Sequence, residues 1–254
     1  MKSVSILGCG WLGKPLGISL LKQGYSVKGS TTSELKLSEL DELGINSYLI
    51  NIEDCEEHHL FLQSEIVIIA ITSKDIEAFK HLTRQIEFWN VQKVIFISST
   101  SVYPNTNAIV TEDSETVQKP LTEIEDIFRK NHHFKSTILR FAGLYGPDRH
   151  PGNWFKGGRM IPQPEGFVNM IHQEDCIQII EEVIAKDCWN TTLNACSNHH
   201  PTRREFYTKA KESLGYDEPV FEETDESSYK IISSKKLQRV LGYTFIHDDL
   251  LSFS

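Results

Sequence analysis

Apolar positions along the chain alternate between short near-continuous runs and longer stretches in which they recur every three or four residues. The runs read as strands buried on both faces, and the periodic stretches as amphipathic helices. Val4-Ser5-Ile6-Leu7 is the first run, and Leu12, Leu16, Leu20 and Leu21 set the first helical period, which stops at Gly24. The pattern then predicts a strand over 25–29, a helix over 34–43 with Ser33 as N-cap and Gly44 as its end, and a strand over 47–50. Apolar runs at 65–71 and 94–97 enclose a helix at 75–89, and a helix at 121–130, a strand at 136–140, a helix at 173–186 and a strand near 191–194 extend the alternation. Strand and helix in this repeating order predict an α/β fold, a doubly wound parallel sheet.

After Arg140 the texture changes, and the glycine- and proline-rich residues 148–166 are expected to shape a pocket or lid. From Cys196 onward a small lobe is predicted. It has a helix from Pro201-Thr202 to about 214, an acidic linker over 215–229 and a last short helix capped by Ser233 and ended by Gly242. The expected division is a Rossmann domain of 1–142 with 173–195, and a substrate-side lobe of 143–172 with 196–254.

Composition narrows the class of partner. The net charge of -9 argues against general nucleic-acid or anionic-membrane binding, and 39% hydrophobic against 24% charged residues is ordinary globular usage. No apolar run approaches the roughly 20 residues of a membrane span, and residues 4–7 are too short for the core of a signal peptide. Five cysteines, Cys9, Cys55, Cys176, Cys188 and Cys196, are odd in number and lack paired zinc spacing, which fits reduced thiols and a cytoplasmic protein, a monomer or homodimer. No metal is expected: Cys196-Ser197-Asn198-His199-His200 has no second cysteine at zinc spacing, and the acidic run at 222–226 lacks the glycine of a calcium loop.

The first strand runs directly into Gly8-Cys9-Gly10-Trp11-Leu12-Gly13, a G-x-G-x-x-G between strand and helix. There the first glycine permits a tight turn, the second lets the backbone approach a pyrophosphate, and the third lets the helix pack on the strand. The alternative is a turn that needs its glycines for packing alone. The end of the second strand sets cofactor type. A site for NAD places a carboxylate there for the ribose 2'-hydroxyl, whereas this chain has Ser30, Thr31, Thr32 and Ser33, with Lys28 and Lys36 to add positive charge. NADP is therefore expected, with NAD as the alternative. The residues expected to line the dinucleotide are Gly8, Cys9, Gly10, Trp11, Leu12, Gly13, Ser30, Thr31, Thr32, Asn51, Ala70, Ile71, Thr72 and Ser98.

Several motifs in order, Gly8 to Gly13, Ser98-Ser99-Thr100-Ser101-Val102-Tyr103, Leu139-Arg140-Phe141-Ala142-Gly143-Leu144-Tyr145-Gly146-Pro147 and Met170-Ile171-His172-Gln173-Glu174-Asp175, resemble the extended short-chain dehydrogenase/reductase superfamily, the NAD-dependent epimerase/dehydratase group. The resemblance covers nearly the whole chain. It implies chemistry by a Ser or Thr after the central strand, here matched by Ser99, with a Tyr and a Lys from a Y-x-x-x-K helix. The helix over 121–130 has no tyrosine, and Lys119 and Lys130 flank it, as in an atypical branch that keeps the glycine motif and lacks Y-x-x-x-K. Substitute proton donors are Tyr145, His150 and His172. Each has a structural alternative, as a packed turn residue, an exposed loop residue and a hydrogen-bonded helix-entry residue respectively. The expected function is an NADP-binding oxidoreductase-like protein acting on a small polar molecule, with a non-catalytic dinucleotide sensor as the alternative.

Overall fold

In the computed structural model residues 2–54, 56–155, 157–224 and 227–253 are described; Cys55 and residues 225–226 of the acidic linker lie outside them. The elements run β1 (Ser3–Leu7), α1 (Gly13–Lys22), β2 (Ser26–Thr31), α2 (Leu37–Glu42), β3 (Asn46–Leu49), α3 (His59–Leu62), β4 (Ile66–Ile69), α4 (Ile76–Phe88), β5 (Lys93–Ser99), β6 (Ile109–Val110), α5 (Pro120–Arg129), β7 (Lys135–Phe141), β8 (Gly143–Tyr145), β9 (Met170–His172), α6 (Gln173–Ala185), β10 (Thr191–Ala195), α7 (Arg203–Glu212), β11 (Ile231–Ile232) and α8 (Lys235–Leu241). Seven strands form one parallel sheet in the order β10-β7-β5-β4-β1-β2-β3, the doubly wound arrangement that the alternation predicts.

The chain divides into two compact units. The first comprises Met1–Ser98, Gln118–Leu139 and Ile177–Thr192. In it Val4 pairs with Val27 on one side and Ile66 on the other, so the most apolar strands lie at the centre of the sheet. Helix α4 is capped by the Asp75 carboxylate, which accepts the Ala78 N–H at 3.0 Å, and it buries Phe79, Leu82 and Ile86 at helical spacing. Phe79 meets Phe96 edge-on at 5.8 Å, and Phe96 stacks on Phe128 of α5 at 5.0 Å. Aromatic pairs of this kind contribute ~0.5–1.5 kcal/mol each beyond their burial.

The helix predicted over 34–43 is shorter and starts as a 3-10 turn at Glu34–Lys36. Its apolar stripe is too thin: Leu40 is buried, whereas Leu35 is 92% exposed, and Ser33 makes no side-chain cap. Helix α3 escaped the periodicity because one turn is shorter than a period, although Phe61 and Leu62 anchor it in the core.

The second unit comprises Ser99–Val117, Arg140–Cys176 and Leu193–Ser254. It contains two small parallel pairs, β8 with β9 and β6 with β11, and a separate apolar cluster of Tyr145, Ile161, Val168, Met170, Phe206, Tyr207 and Leu250. Helix α7 opens with a capping box: the Thr202 hydroxyl accepts the Glu205 N–H, and the Glu205 carboxylate accepts the Thr202 N–H. The last helix begins after Ser234 rather than Ser233, and the Ser234 hydroxyl bonds the backbone of Cys196.

This division departs from the one expected from the sequence. Residues 99–117 belong with the second unit because Asn107 accepts the Tyr229 N–H through its side chain and β6 pairs with β11, both across more than a hundred residues of chain. No helix among the described residues is long and apolar enough to cross a membrane.

Candidate functional site

In the first unit the ends of β1, β2 and β4 converge on the glycine turn. Gly8 has φ +100°, and a Cβ there would stand 2.7 Å from Ile71 Cγ2 and 2.8 Å from the Ala70 oxygen. At Gly13 a Cβ would be 2.2 Å from the Gly8 oxygen. These two glycines are thus required by packing. Gly10 differs: a Cβ built on it meets nothing within 4 Å, and its φ is not positive. It stands just before α1, at the positive end of the helix dipole, and its oxygen accepts the Lys14 N–H at 3.1 Å.

The neighbours of the turn separate into structural and open groups. Cys9 is buried, its N–H donates to the Ser30 oxygen at 2.7 Å, and burial pushes its thiol up to about 12. Gly29, which the sequence reading passed over, makes room for it: a Cβ there would lie 2.5 Å from Cys9 Sγ. A glycine inside a strand pattern was the signal. Ser30 is 1% exposed, and its hydroxyl accepts the Gly8 N–H at 2.9 Å, so it braces the turn. Leu12 is buried and Trp11 half-buried. Thr31 Oγ1 accepts the Ser33 N–H at 3.1 Å, and Thr32 is exposed.

One expectation about charge needs correction. Lys28 does not extend toward a phosphate, because its ammonium donates to the carbonyls of Leu60 and Gln63, at 2.8 Å in the second case. Lys14, in the first turn of α1, instead pairs with Glu39 at 2.6 Å and holds that carboxyl below the usual range. Ala70 continues the ladder by donating to the Leu7 oxygen, Ile71 is half-buried, and Thr72 is exposed. Asn51 is a turn residue: its amide oxygen accepts the Glu53 N–H, and its NH2 donates to Asp54 at 3.0 Å.

Ser98 turns into the first unit, donating to Glu125 of α5 at 2.6 Å, and the other Glu125 oxygen accepts Arg129 at 2.7 Å. Glu125 is fully buried. The helix that would carry Y-x-x-x-K therefore presents a paired carboxylate to the sheet.

In the second unit Ser99 accepts the Ser101 N–H at 3.1 Å and caps a short 3-10 turn. That leaves its own proton to donate, since a hydroxyl both accepts and donates. Tyr103 is buried; its hydroxyl accepts from Arg140 at 2.6 Å and donates to Asn194 at 2.8 Å, and burial raises its pKa. The sequence reading did not join Arg140 and Asn194 to the Tyr103 hydroxyl, although a charged residue closing an apolar strand was visible.

Tyr145 and His172 are brought together, ring edge to ring face with centroids 5.1 Å apart. Tyr145 is 6% exposed, and burial drives its hydroxyl well above the ordinary tyrosine range. This is opposite to the lowered pKa that the resemblance implies for a proton-transferring tyrosine. His172 Nδ1 accepts the Glu174 N–H at 3.3 Å, and burial holds the imidazole below its usual pKa. His150 caps a turn by accepting the Gly152 N–H at 3.2 Å and packs on Phe253; burial lowers its pKa as well. Among the described residues Ser99 and His150 make no hydrogen bond or ring contact with the Tyr145–His172 pair. Asp175 is fully buried and accepts from the Tyr243 hydroxyl at 2.7 Å and from the N–H groups of Ile246 and His247 at 2.7 and 3.1 Å.

No family model matches the chain. It is similar to Protein YeeZ of Escherichia coli K12, with 32% identity over 272 aligned residues that cover 99% of this chain and 98% of that protein. Its fold is that of a functionally unknown conserved protein from Silicibacter pomeroyi (TM-score 0.84, 20% identity, 99% and 96% of the two chains). It is also that of UDP-glucuronic acid 4-epimerase from Bacillus cereus in complex with NAD (0.80, 18%, 98% and 95%) and of dTDP-glucose 4,6-dehydratase from Bacillus anthracis in complex with NAD (0.81, 14%, 99% and 94%). These are proteins of the NAD-dependent epimerase/dehydratase type, and the likeness establishes the fold.

Proposed function

The chain belongs to the family of Protein YeeZ, and from that premise we propose that it is an NADP(H)-binding, oxidoreductase-like protein acting on a small polar substrate. Gly10 carries the dinucleotide half of the reading. It has neither a packing neighbour nor a positive φ to account for it, and it stands where a pyrophosphate needs close approach of the backbone. Gly8 and Gly13 keep the turn tight, the positive end of the α1 dipole lies at it, and Ala70 and Ile71 border it. When bound, the nicotinamide supplies hydride chemistry; these residues bind and orient it.

The preference for NADP rests on the end of β2, which has no carboxylate to repel a 2'-phosphate and offers Thr31, Thr32 and Ser33 with Lys36 in the following turn. Against it stand the NAD complexes of the two Bacillus proteins. Those proteins are named for sugar nucleotides, which makes a sugar nucleotide the first substrate to try, held in the second unit by the loop after Tyr145 with Ser99 donating to the substrate oxygen.

A non-catalytic dinucleotide sensor is the second reading. The absence of Tyr and Lys from α5 and the suppressed acidity of Tyr145 favour it. Melting curves with NADP, NADPH, NAD and NADH test both readings, because a ligand of the folded state raises stability with the logarithm of its saturation. We expect the largest shift with the NADP pair; no shift with any of the four overturns the proposal. Turnover of a carbonyl or sugar-nucleotide panel that is lost in Ser99→Ala selects the enzyme over the sensor.

A further inference from the structure

Three side chains of the second unit converge without having been singled out together. One nitrogen each of His172 and His247 and a carboxylate oxygen of Glu174 all lie within 4.8 Å of one another. The two imidazole rings are 3.7 Å apart between centroids, tilted by 41°, and His247 Nε2 is 2.8 Å from Glu174 Oε2. Ligands at about 2.0–2.1 Å from a tetrahedral ion stand roughly 3.4 Å from one another, so small side-chain adjustments bring this trio to coordinating geometry.

The backbone already holds the donors in place. His172 ends β9 and Glu174 lies in the first turn of α6, two residues on. His247 comes from a distant loop, fixed by Asp175, whose carboxylate accepts the N–H groups of Ile246 and His247, and by the Ser197 hydroxyl, which donates to the His247 oxygen at 3.1 Å. Carboxylates of Glu174 and Asp175 offset the positive end of the α6 dipole. Glu174 and His247 keep 53% and 28% of their side chains exposed, so an ion can enter.

We propose that His172, Glu174 and His247 form a binding site for a borderline divalent cation of the zinc class. Imidazole nitrogens select zinc, cobalt, nickel or copper over magnesium and calcium, and three protein donors leave a position for water. The site takes none of its donors from the 196–200 run, and it does not depend on the dinucleotide reading.

Titration of the full chain with Co(II), followed by visible absorption, and with Zn(II), followed by calorimetry, tests the proposal. One ion per chain is expected, with affinity reduced at least about tenfold in His247→Gln and in Glu174→Gln and unchanged in His199→Gln. Histidine side-chain NMR of the unaltered chain gives an independent reading in which Zn(II) moves the His172 and His247 imidazoles. No saturable binding overturns the site. So does binding that survives both substitutions, or that disappears in His199→Gln, or imidazole shifts confined to other histidines.

Discussion

The Ser98 hydroxyl donates to the Glu125 carboxylate at 2.6 Å, joining the end of the central strand β5 to helix α5 inside the first unit. Where the related fold is expected to carry a proton-transferring tyrosine and lysine, this helix carries a buried acid already paired with Ser98 and with Arg129. Glu125 is thereby a structural residue. Glu125→Ala is expected to destabilise the chain by about 1–3 kcal/mol, because it leaves the Ser98 hydroxyl without its acceptor. Urea denaturation checks this, and Glu125→Gln, which keeps an acceptor, should recover part of the loss.

Gly10 and Gly13 separate binding from folding. In Gly13→Ala the helix-propensity gain of ~1 kcal/mol is outweighed by a methyl carbon 2.2 Å from the Gly8 oxygen, and a net loss of about 1–3 kcal/mol is expected. Gly10→Ala meets open space, so its stability should change by less than about 0.5 kcal/mol. Its dinucleotide affinity should nevertheless fall about tenfold or more, as the methyl obstructs the approach of the pyrophosphate. Equal affinities for Gly10→Ala and the unaltered chain would count against the glycine turn as the cofactor cradle.

Asp175 ties three groups of the second unit together, and its loss should be felt there. Asp175→Ala removes hydrogen bonds to the Tyr243 hydroxyl and to the Ile246 and His247 N–H groups. Bonds to a charged acceptor contribute ~1.5–3 kcal/mol each. Since water can reach part of the freed backbone, the expected cost is about 3 kcal/mol. Asp175→Asn, with one accepting oxygen, should lie between; a melting series compares the three.

Stability should fall on mild acidification. Burial is the leading cause that lowers the pKa of His58, His150, His172 and His200 in the folded chain. Each imidazole is then harder to protonate folded than unfolded. From just above the ordinary value of about 6.5 down to the lowered folded value, the unfolded chain binds more protons, and acidification favours unfolding. The carboxylates held low, Glu39, Asp187 and Glu205, act in the same direction only near and below their ordinary range of about 4. Urea midpoints at pH 7.5, 6.5 and 5.5 should therefore decline in that order. A flat profile across this interval would contradict the burial of these histidines.

The sequence by itself determined the parallel sheet and the glycine turn, because both are written locally. Buried strands show as unbroken apolar runs, α1 shows as leucines at helical spacing, and the turn needs Gly8 and Gly13 within six residues of each other. It also determined that α5 lacks Tyr and Lys. What it could not determine depends on partners far apart along the chain. Only the tertiary structure decided that Lys28 is held by the carbonyls at 60 and 63, that Ser30 braces Gly8, and that Ser98 is bound to Glu125. It likewise decided that His247 meets His172 and Glu174 across more than seventy residues. A short polar side chain reads the same in sequence whether it faces solvent, a ligand or a buried partner. The difference lies in desolvation and hydrogen-bond geometry, and those are fixed only when distant segments pack.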